Sequence, residues 1–167
     1  MDEYLRAMTI IETGSLEDLE RLAAEMPGFP DGVDPYIGRR WIINAIDTGS
    51  LVAIRWMLAK GVDLNFRDEE GATPIHCAVD RSRADKYDVM EMLIVAGVPL
   101  NIKGFNDWTP AHLAAARDDV DALRILVRHG ADLSIRTEID NYATPLGEAR
   151  HLNKVKAVQY LETETRE

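Results

Sequence analysis

The sequence is poor in the residues on which several classes of protein depend. It contains a single cysteine, Cys77, which excludes an internal disulfide and leaves a cysteine-built zinc site short of ligands. The sequence has no run of about 18 apolar residues, which is the length needed to span a membrane. The first six residues have neither the basic start nor the apolar stretch of a secretory signal. We therefore expect a cytoplasmic protein without a membrane partner.

Basic residues are scarce relative to acidic ones. The chain has 19 Lys and Arg against 29 Asp and Glu, which gives a net charge of −10. Such a surface repels phosphate backbones, so we expect no nucleic-acid partner. The charge is concentrated at the amino end, because residues 1–35 hold nine acidic and two basic residues. This end either forms a hydrated face or steers a basic partner.

Sequence motifs of common catalytic sites are also missing. There is no phosphate-binding G-x-x-x-x-G-K-[ST] loop, no G-x-S-x-G and no H-E-x-x-H. His112 has no second ligand three or four residues away on the same helix, and His76 has only Asp80, which leaves both short of a metal-ligand set. The aspartates between 118 and 121 lack the ligand order of a calcium loop, and Cys77 is predicted to be a small buried side chain. We therefore expect no enzymatic activity, no metal and no cofactor.

The sequence does contain a repeat with a period of 33 to 36 residues. A Thr-Pro pair predicts a helix start, because the hydroxyl can accept from a free N–H and proline lacks a donor that would have no partner. A glycine after an apolar run predicts a helix end. The Thr-Pro pairs begin at residues 73, 109 and 144, and the glycines stand at 61, 97 and 130. Each period therefore predicts a helix–turn–helix unit, and stacked units bury a continuous core.

The sequence resembles the ankyrin-repeat family. The resemblance rests on T-P-x-H tetrads at 73–76 and 109–112, alanines at 78 and 114–115, and Gly-x-Asp-Leu runs at 61–64 and 130–133. It implies an all-α ankyrin-repeat α-solenoid, with helix–turn–helix repeats joined by hairpin-like loops, that forms a single domain over 1–167. It covers essentially the whole chain and is strongest over 39–136.

We assign five repeats, of which the first and last are degenerate caps. The first is predicted to contain helices near 2–12 and 16–25, followed by an elongated loop over 27–38. The third carries three extra residues near 81–87, between its helices. The predicted repeats are 1–35, 36–70, 71–106, 107–140 and 141–167.

The family resemblance implies a non-enzymatic module that binds another protein. In an ankyrin stack, the loop tips and the exposed faces of the first helices form one concave strip. The candidate tip residues are Tyr36, Ile37, Glu69, Glu70, Phe105, Asn106, Trp108 and Tyr142, with Asn141 beside the last. The candidate positions on the first helices are Asp47, Asp80, Arg81, Arg117 and His151. Aromatic tips are common interface anchors, but Phe105 and Trp108 could instead pack against adjacent loops.

Two other functions remain open at this point. The charge of −10 suits a small inhibitor or immunity protein that neutralises a basic toxin or enzyme. A self-associating scaffold subunit is the other alternative. We expect a monomer when the protein is free, and the acidic charge favours a basic protein as its partner.

Overall fold

The computed structural model describes residues 2–139 and 142–165, and within these ranges the chain forms ten α-helices and no β-strand. The helices follow one another as five pairs, each joined by a short connection. The pairs are α1 Asp2–Thr13 with α2 Leu16–Glu25, α3 Trp41–Thr48 with α4 Leu51–Ala59, α5 Pro74–Asp80 with α6 Lys86–Val95, α7 Pro110–Ala116 with α8 Val120–Arg128, and α9 Pro145–His151 with α10 Val155–Glu164. A 3₁₀ turn, Phe105–Asp107, precedes α7.

Hydroxyl and carboxylate side chains fix the starts of several helices. The Thr144 hydroxyl accepts from the backbone N–H of Gly147 at 3.2 Å, directly before Pro145. Ser50 caps α4 by accepting from Ala53 N–H at 3.2 Å. Asp119 caps α8 in the same way. These contacts satisfy backbone donors that the helix itself leaves free, and the Thr-Pro prediction of helix starts is confirmed.

Glycines with a left-handed backbone stop three of the second helices. Gly61, Gly97 and Gly130 have φ of +76°, +91° and +90°. Residues other than glycine rarely adopt this backbone conformation, which lets the chain turn away from the helix axis. The sequence therefore located these three helix ends.

The pairs stack into two rows of helices. Helices α1, α3, α5, α7 and α9 contact one another in that order and form the first-helix row, and the even-numbered helices form the second-helix row. A buried apolar cluster runs between the rows from Ala7 to Leu161. One helix pair cannot cover its own apolar face, so neighbouring pairs stabilise one another. None of the described helices is both long and apolar enough to cross a membrane.

Aromatic packing anchors the elongated first loop. The Phe29 ring lies 5.5 Å from the Trp41 ring in an edge contact and 5.7 Å from the Trp56 ring in a stacked one. Trp41 occupies the first position of α3 and is fully buried. The predicted loop over 27–38 is thus a series of turns attached to the core at Phe29.

The repeat boundaries stay predictions, although the helix pairs fall within them. The predicted helices at 2–12 and 16–25 agree with α1 and α2 to within one residue. The connection between α5 and α6 covers 81–85 and is longer than the 117–119 connection between α7 and α8. The predicted boundary between residues 140 and 141, and the end at 167, lie outside the described residues.

Candidate protein-interaction surface

The loops that precede α5, α7 and α9 share one geometry. In each, a backbone N–H donates to the carbonyl of a residue four to six positions later. The pairs are Asp68 to Ala72 at 2.9 Å, Gly104 to Trp108 at 2.6 Å and Thr137 to Ala143 at 3.0 Å. Because each loop leads directly into a first-row helix, the tips lie at the same end of these helices. We call this edge, together with the first loop, the tip edge (residues 33–40, 65–72, 103–108, 136–139 and 142–143).

Buried histidines brace two of these loops. The Nε2–H of His76 donates to the Trp108 carbonyl at 3.0 Å, and its Nδ1 lies 2.7 Å from the Thr73 hydroxyl. His112 makes the same contacts with Ala143 and Thr109, at 3.0 and 2.8 Å. Burial lowers the pKa of His76 to about 4, and the pKa of His112 is lowered for the same reason. Both rings are therefore neutral structural groups that connect one helix pair to the next loop.

Gly104 makes room for the His76 ring. A Cβ at position 104 would lie 2.9 Å from the imidazole Cε1, closer than a side chain is ever found. The corresponding position of the preceding loop is Asp68, and the residue that faces it is Ile43 rather than histidine. The loop at 65–72 therefore has no histidine brace from the preceding pair.

A buried carboxylate shapes the first loop. Asp34 is fully buried and accepts from the backbone N–H groups of Tyr36, Ile37 and Arg39 at 3.0, 2.7 and 3.2 Å. Its Oδ2 also accepts from the Asn44 amide at 3.3 Å. These bonds turn the backbone so that Ile37 is left 53% exposed. Tyr36 lies beside it and donates its hydroxyl to Glu3 at 3.3 Å.

A groove of about 550 Å³ opens between the first loop and the 65–72 loop. Its apolar lining comes from Val33, Ile37, Ile43 and Phe66. The carboxylates of Glu69 and Glu70 lie at its rim and are exposed, and no hydrogen bond or ion pair from the described residues reaches them. Two predicted pairs, Tyr36–Ile37 and Glu69–Glu70, thus stand on neighbouring loops.

The arginines of this groove are mostly committed to other groups. Arg39 pairs with Asp47 at 2.7 Å, and this contact leaves Asp47 half-buried. The Arg40 guanidinium lies 4.4 Å from the centre of the Phe66 ring and is 3.4 Å from Asp63. The candidate residue Asp47 therefore has its charge balanced within the protein.

The tip before α7 is partly packed. The rings of Phe105 and Trp108 are half-buried, 6.1 Å apart, and Phe105 also lies 5.8 Å from the His76 ring. Asn106 between them is exposed and has a left-handed backbone with φ of 53°. Phe105 and Trp108 thus pack against neighbouring side chains, which is the alternative that the sequence left open. Asn106 is the exposed residue of this tip.

The tip before α9 is more open. Tyr142 is 64% exposed, and its carbonyl accepts from Arg136 at 3.0 Å. The candidate Asn141 lies outside the described residues. His151, at the end of α9, is exposed as predicted. Glu148 lies beside Tyr142 and His151 and is only 6% exposed, and its carboxylate oxygens reach solvent.

Arg81 is not an exposed binding residue, and this expectation was wrong. Its guanidinium is fully buried and donates to the Ile46 and Gly49 carbonyls and to both oxygens of Asp85, the last at 2.9 Å. Arg81, in the insertion at 81–85, thus joins the third helix pair to the second. Asp80 and Arg117 lie at exposed positions, but they form a two-contact ion pair with each other at 2.9 and 3.1 Å.

The remaining side chains that the sequence analysis considered for chemistry are Cys77 and the aspartates near residue 118. Cys77 is half-buried rather than fully buried, and desolvation followed by nearby acidic groups such as Asp47 raises the pKa of its thiol to about 12, so the thiol is protonated at neutral pH. Asp119 binds Lys86 at 2.5 Å and the Tyr87 hydroxyl at 3.0 Å. Asp118 accepts from the backbone N–H of Ala157 at 2.8 Å. Within the described part of the chain, no three His, Cys, Asp or Glu side chains are arranged to hold a metal ion.

Sequence reasoning missed the two buried charged groups that organise this region. Asp34 and Arg81 both bind backbone groups, and nothing in the spacing of charged residues distinguishes them from surface ones. The proline- and glycine-rich context of Asp34 and the inserted position of Arg81 were the available signals.

One stack of helix pairs, in which histidines connect a pair to the next loop, defines an α-solenoid built from repeats. Comparison with known families agrees and is more specific. A family model described as ankyrin repeats in three copies matches residues 82–165, and one described as ankyrin repeats in many copies matches residues 42–94. The chain belongs to the ankyrin-repeat family. No curated protein matches it in a sequence search.

Proposed function

We propose that the protein is a non-enzymatic module that binds another protein through its tip edge and the adjoining exposed faces of the first-helix row. The observation that carries the proposal is the chemistry of that edge. Ile37 and Tyr142 are exposed there, and the Glu69 and Glu70 carboxylates are free of ion pairs with the described residues. Exposed large apolar groups beside unpaired charges are the usual components of an interface.

The family supports the general part of this proposal. Ankyrin repeats are in general protein–protein interaction modules and typically lack enzymatic activity. The particular residues are our own assignment. Ile37, Glu69, Glu70, Asn106, Tyr142 and His151 are proposed as contacts, with Tyr36, Asp47, Asp80, Phe105, Trp108 and Arg117 as supporting residues whose side chains are already packed or bonded within the chain.

The proposal is tested by capture of a partner from the source organism with the tagged full-length chain. The identified partner is then produced separately and its affinity is measured for three variants: Glu69→Lys with Glu70→Lys, Ile37→Ser, and Tyr142→Ser. We expect at least one of these to weaken binding by about tenfold, because each removes an exposed contact. A matched control, Val95→Ser, alters an exposed apolar residue of the second-helix row. Unchanged affinity in all three tip variants would refute the assignment of the surface.

The charge favours one more specific role, that of an inhibitor or immunity protein for a basic toxin or enzyme. Nine acidic residues against two basic ones in residues 1–35 would speed association with a basic protein, and this effect falls with salt. The test is whether an equimolar amount of the chain abolishes the activity of the captured partner. Full activity in the saturated complex would reject this role.

A self-associating scaffold is the other candidate. Val95 is 82% exposed on α6 and Val52 is exposed on α4, so the second-helix row has apolar groups that a second copy could cover. Light scattering at several concentrations separates the two states. Our proposal is a monomeric protein of the cytoplasm when free, and a mass that rises with concentration would favour the scaffold.

A further inference from the structure

We propose that the groove between the first loop and the 65–72 loop binds an extended protein segment in which a bulky apolar side chain is followed by lysine or arginine. This inference rests on the proposed function and assigns the chemistry of the partner at one part of the tip edge. We call the groove the amino-terminal groove, and its apolar residues are Val33, Ile37, Ile43 and Phe66.

The groove exists because one position in the repeat has changed. In the third and fourth helix pairs, His76 and His112 occupy the space between the helix start and the next loop and donate to that loop. At the corresponding place in the second pair stands Ile43, which cannot donate a hydrogen bond. No imidazole therefore ties the 65–72 loop to the second pair, and the buried Ile43 contributes to the apolar lining of the groove.

The walls of the groove keep apolar surface accessible on both sides. Val33 and Ile37 are 55% and 53% exposed, and Asp34 between them holds the loop in this conformation by its backbone hydrogen bonds. On the opposite wall Phe66 is covered on one face by the Arg40 guanidinium. A volume of about 550 Å³ admits more than one aliphatic side chain.

Charge complementarity decides what accompanies the apolar side chain. Of the charged residues that line the groove, Arg39 and Arg40 are bonded to Asp47 and Asp63, and Asp68 accepts from backbone N–H groups of its own loop. The groups that remain without an ion pair among the described residues are Arg67, Glu69 and Glu70. The free charge at the rim is thus negative, beside an amino end that is itself acidic. A segment with lysine or arginine next to its apolar residue matches both features.

The experiment uses the full-length chain and a phage library of random peptides about 12 residues long. We expect the selected peptides to share a leucine, isoleucine, methionine or phenylalanine beside one or more basic residues. Synthetic versions of these peptides should bind about tenfold more weakly to Ile37→Ser, and to Glu69→Gln with Glu70→Gln, than to the unaltered chain. Because the glutamates act electrostatically, the difference for their variant should shrink at high salt, whereas the Ile37→Ser difference should persist.

Matched controls separate the groove from general effects. Val95→Ser removes a still more exposed apolar group from α6, and Asp88→Asn with Asp121→Asn removes the same charge from the first turns of α6 and α8. Both should bind the peptides as the unaltered chain does. Acidic or purely polar selected peptides, no selection at all, or peptides that bind the groove variants with unchanged affinity would each overturn the proposal.

The failure of this inference is distinguishable from the failure of the proposed function. If the captured partner loses affinity for Tyr142→Ser but not for the groove variants, the tip edge still binds a protein and only the amino-terminal groove is wrongly assigned. If neither set of variants changes the affinity of that partner, the proposed function itself falls.

Discussion

His112 on α7 donates from Nε2 to the carbonyl oxygen of Ala143, 3.0 Å away, and so ties the fourth helix pair to the loop that leads into the fifth. His76 forms the same link one pair earlier, to Trp108. Neutral imidazole is required for both arrangements, because Nδ1 must accept from a threonine hydroxyl while Nε2–H donates.

The first prediction concerns the pH dependence of folding. The pKa of His76 is about 4 in the folded chain and 6.5 is its ordinary value, so the unfolded chain binds more protons between these limits. Stability from this group is complete above pH 6.5 and is lost as the pH falls toward 4. Urea unfolding should show that the unaltered chain loses about 2 kcal/mol more than His76→Gln between pH 7 and pH 5. His151→Gln, an exposed control, should parallel the unaltered chain, whereas parallel curves for His76→Gln would contradict the prediction.

The second prediction concerns the buried arginine. Arg81→Ala should lower the free energy of unfolding by about 2 to 4 kcal/mol, since the carbonyls of Ile46 and Gly49 lose their donor and Asp85 loses its partner. Arg83→Ala removes an exposed arginine two residues away and should cost less than about 0.5 kcal/mol. Chemical denaturation of both variants decides the matter, and equal losses would show that Arg81 has no special role.

The third prediction compares two aromatic tips. Trp108→Ala should lower the free energy of unfolding by about 1 to 3 kcal/mol, because its ring is half-buried against Phe105. Tyr142→Ala should change it by less than about 0.5 kcal/mol, because most of its surface is already in water. A stable Trp108→Ala protein with weakened partner binding would instead make Trp108 an interface anchor.

The fourth prediction concerns the end of α6. Gly97 has φ of +91°, and open space surrounds the position of a Cβ there. Gly97→Val should therefore destabilise through backbone strain alone, by about 1 to 3 kcal/mol. Gly97→Asn should cost less, because asparagine tolerates the left-handed region better. Thermal unfolding measures the order of stability of the two variants. A Gly97→Val protein as stable as Gly97→Asn would refute the explanation.

The fifth prediction is a stabilisation. Glu148 on α9 occupies the position that Leu113 holds on α7, and the residue is only 6% exposed although its carboxylate oxygens reach solvent. Glu148→Leu should raise the free energy of unfolding by about 1 kcal/mol, because leucine at this position buries apolar surface as Leu113 does. Glu164→Leu, an exposed position on α10, is the control and should have little effect. A lower melting temperature for Glu148→Leu would indicate that the carboxylate has a favourable contact.

The sequence predicted most of the local structure because its signals act over short distances. The Thr73-Pro74 start and the Gly97 stop depend on backbone geometry within a turn of helix. The burial of Arg81 depends on a hydrogen bond to the carbonyl of Ile46, 35 residues earlier, and no local sequence pattern shows this contact. The burial of Trp41 against Phe29 and the open groove above Ile43 likewise depend on contacts between different repeats.

The presence of Ile43 where the next two pairs have a bracing histidine also changes how the second and third pairs are joined. At the end of α3, Arg81 donates to the Ile46 and Gly49 carbonyls. At the tip edge, Arg40 contacts the Phe66 ring and Asp63. The junction beside the groove therefore depends on guanidinium groups, which stay charged at every pH, whereas the next two junctions depend on neutral imidazoles.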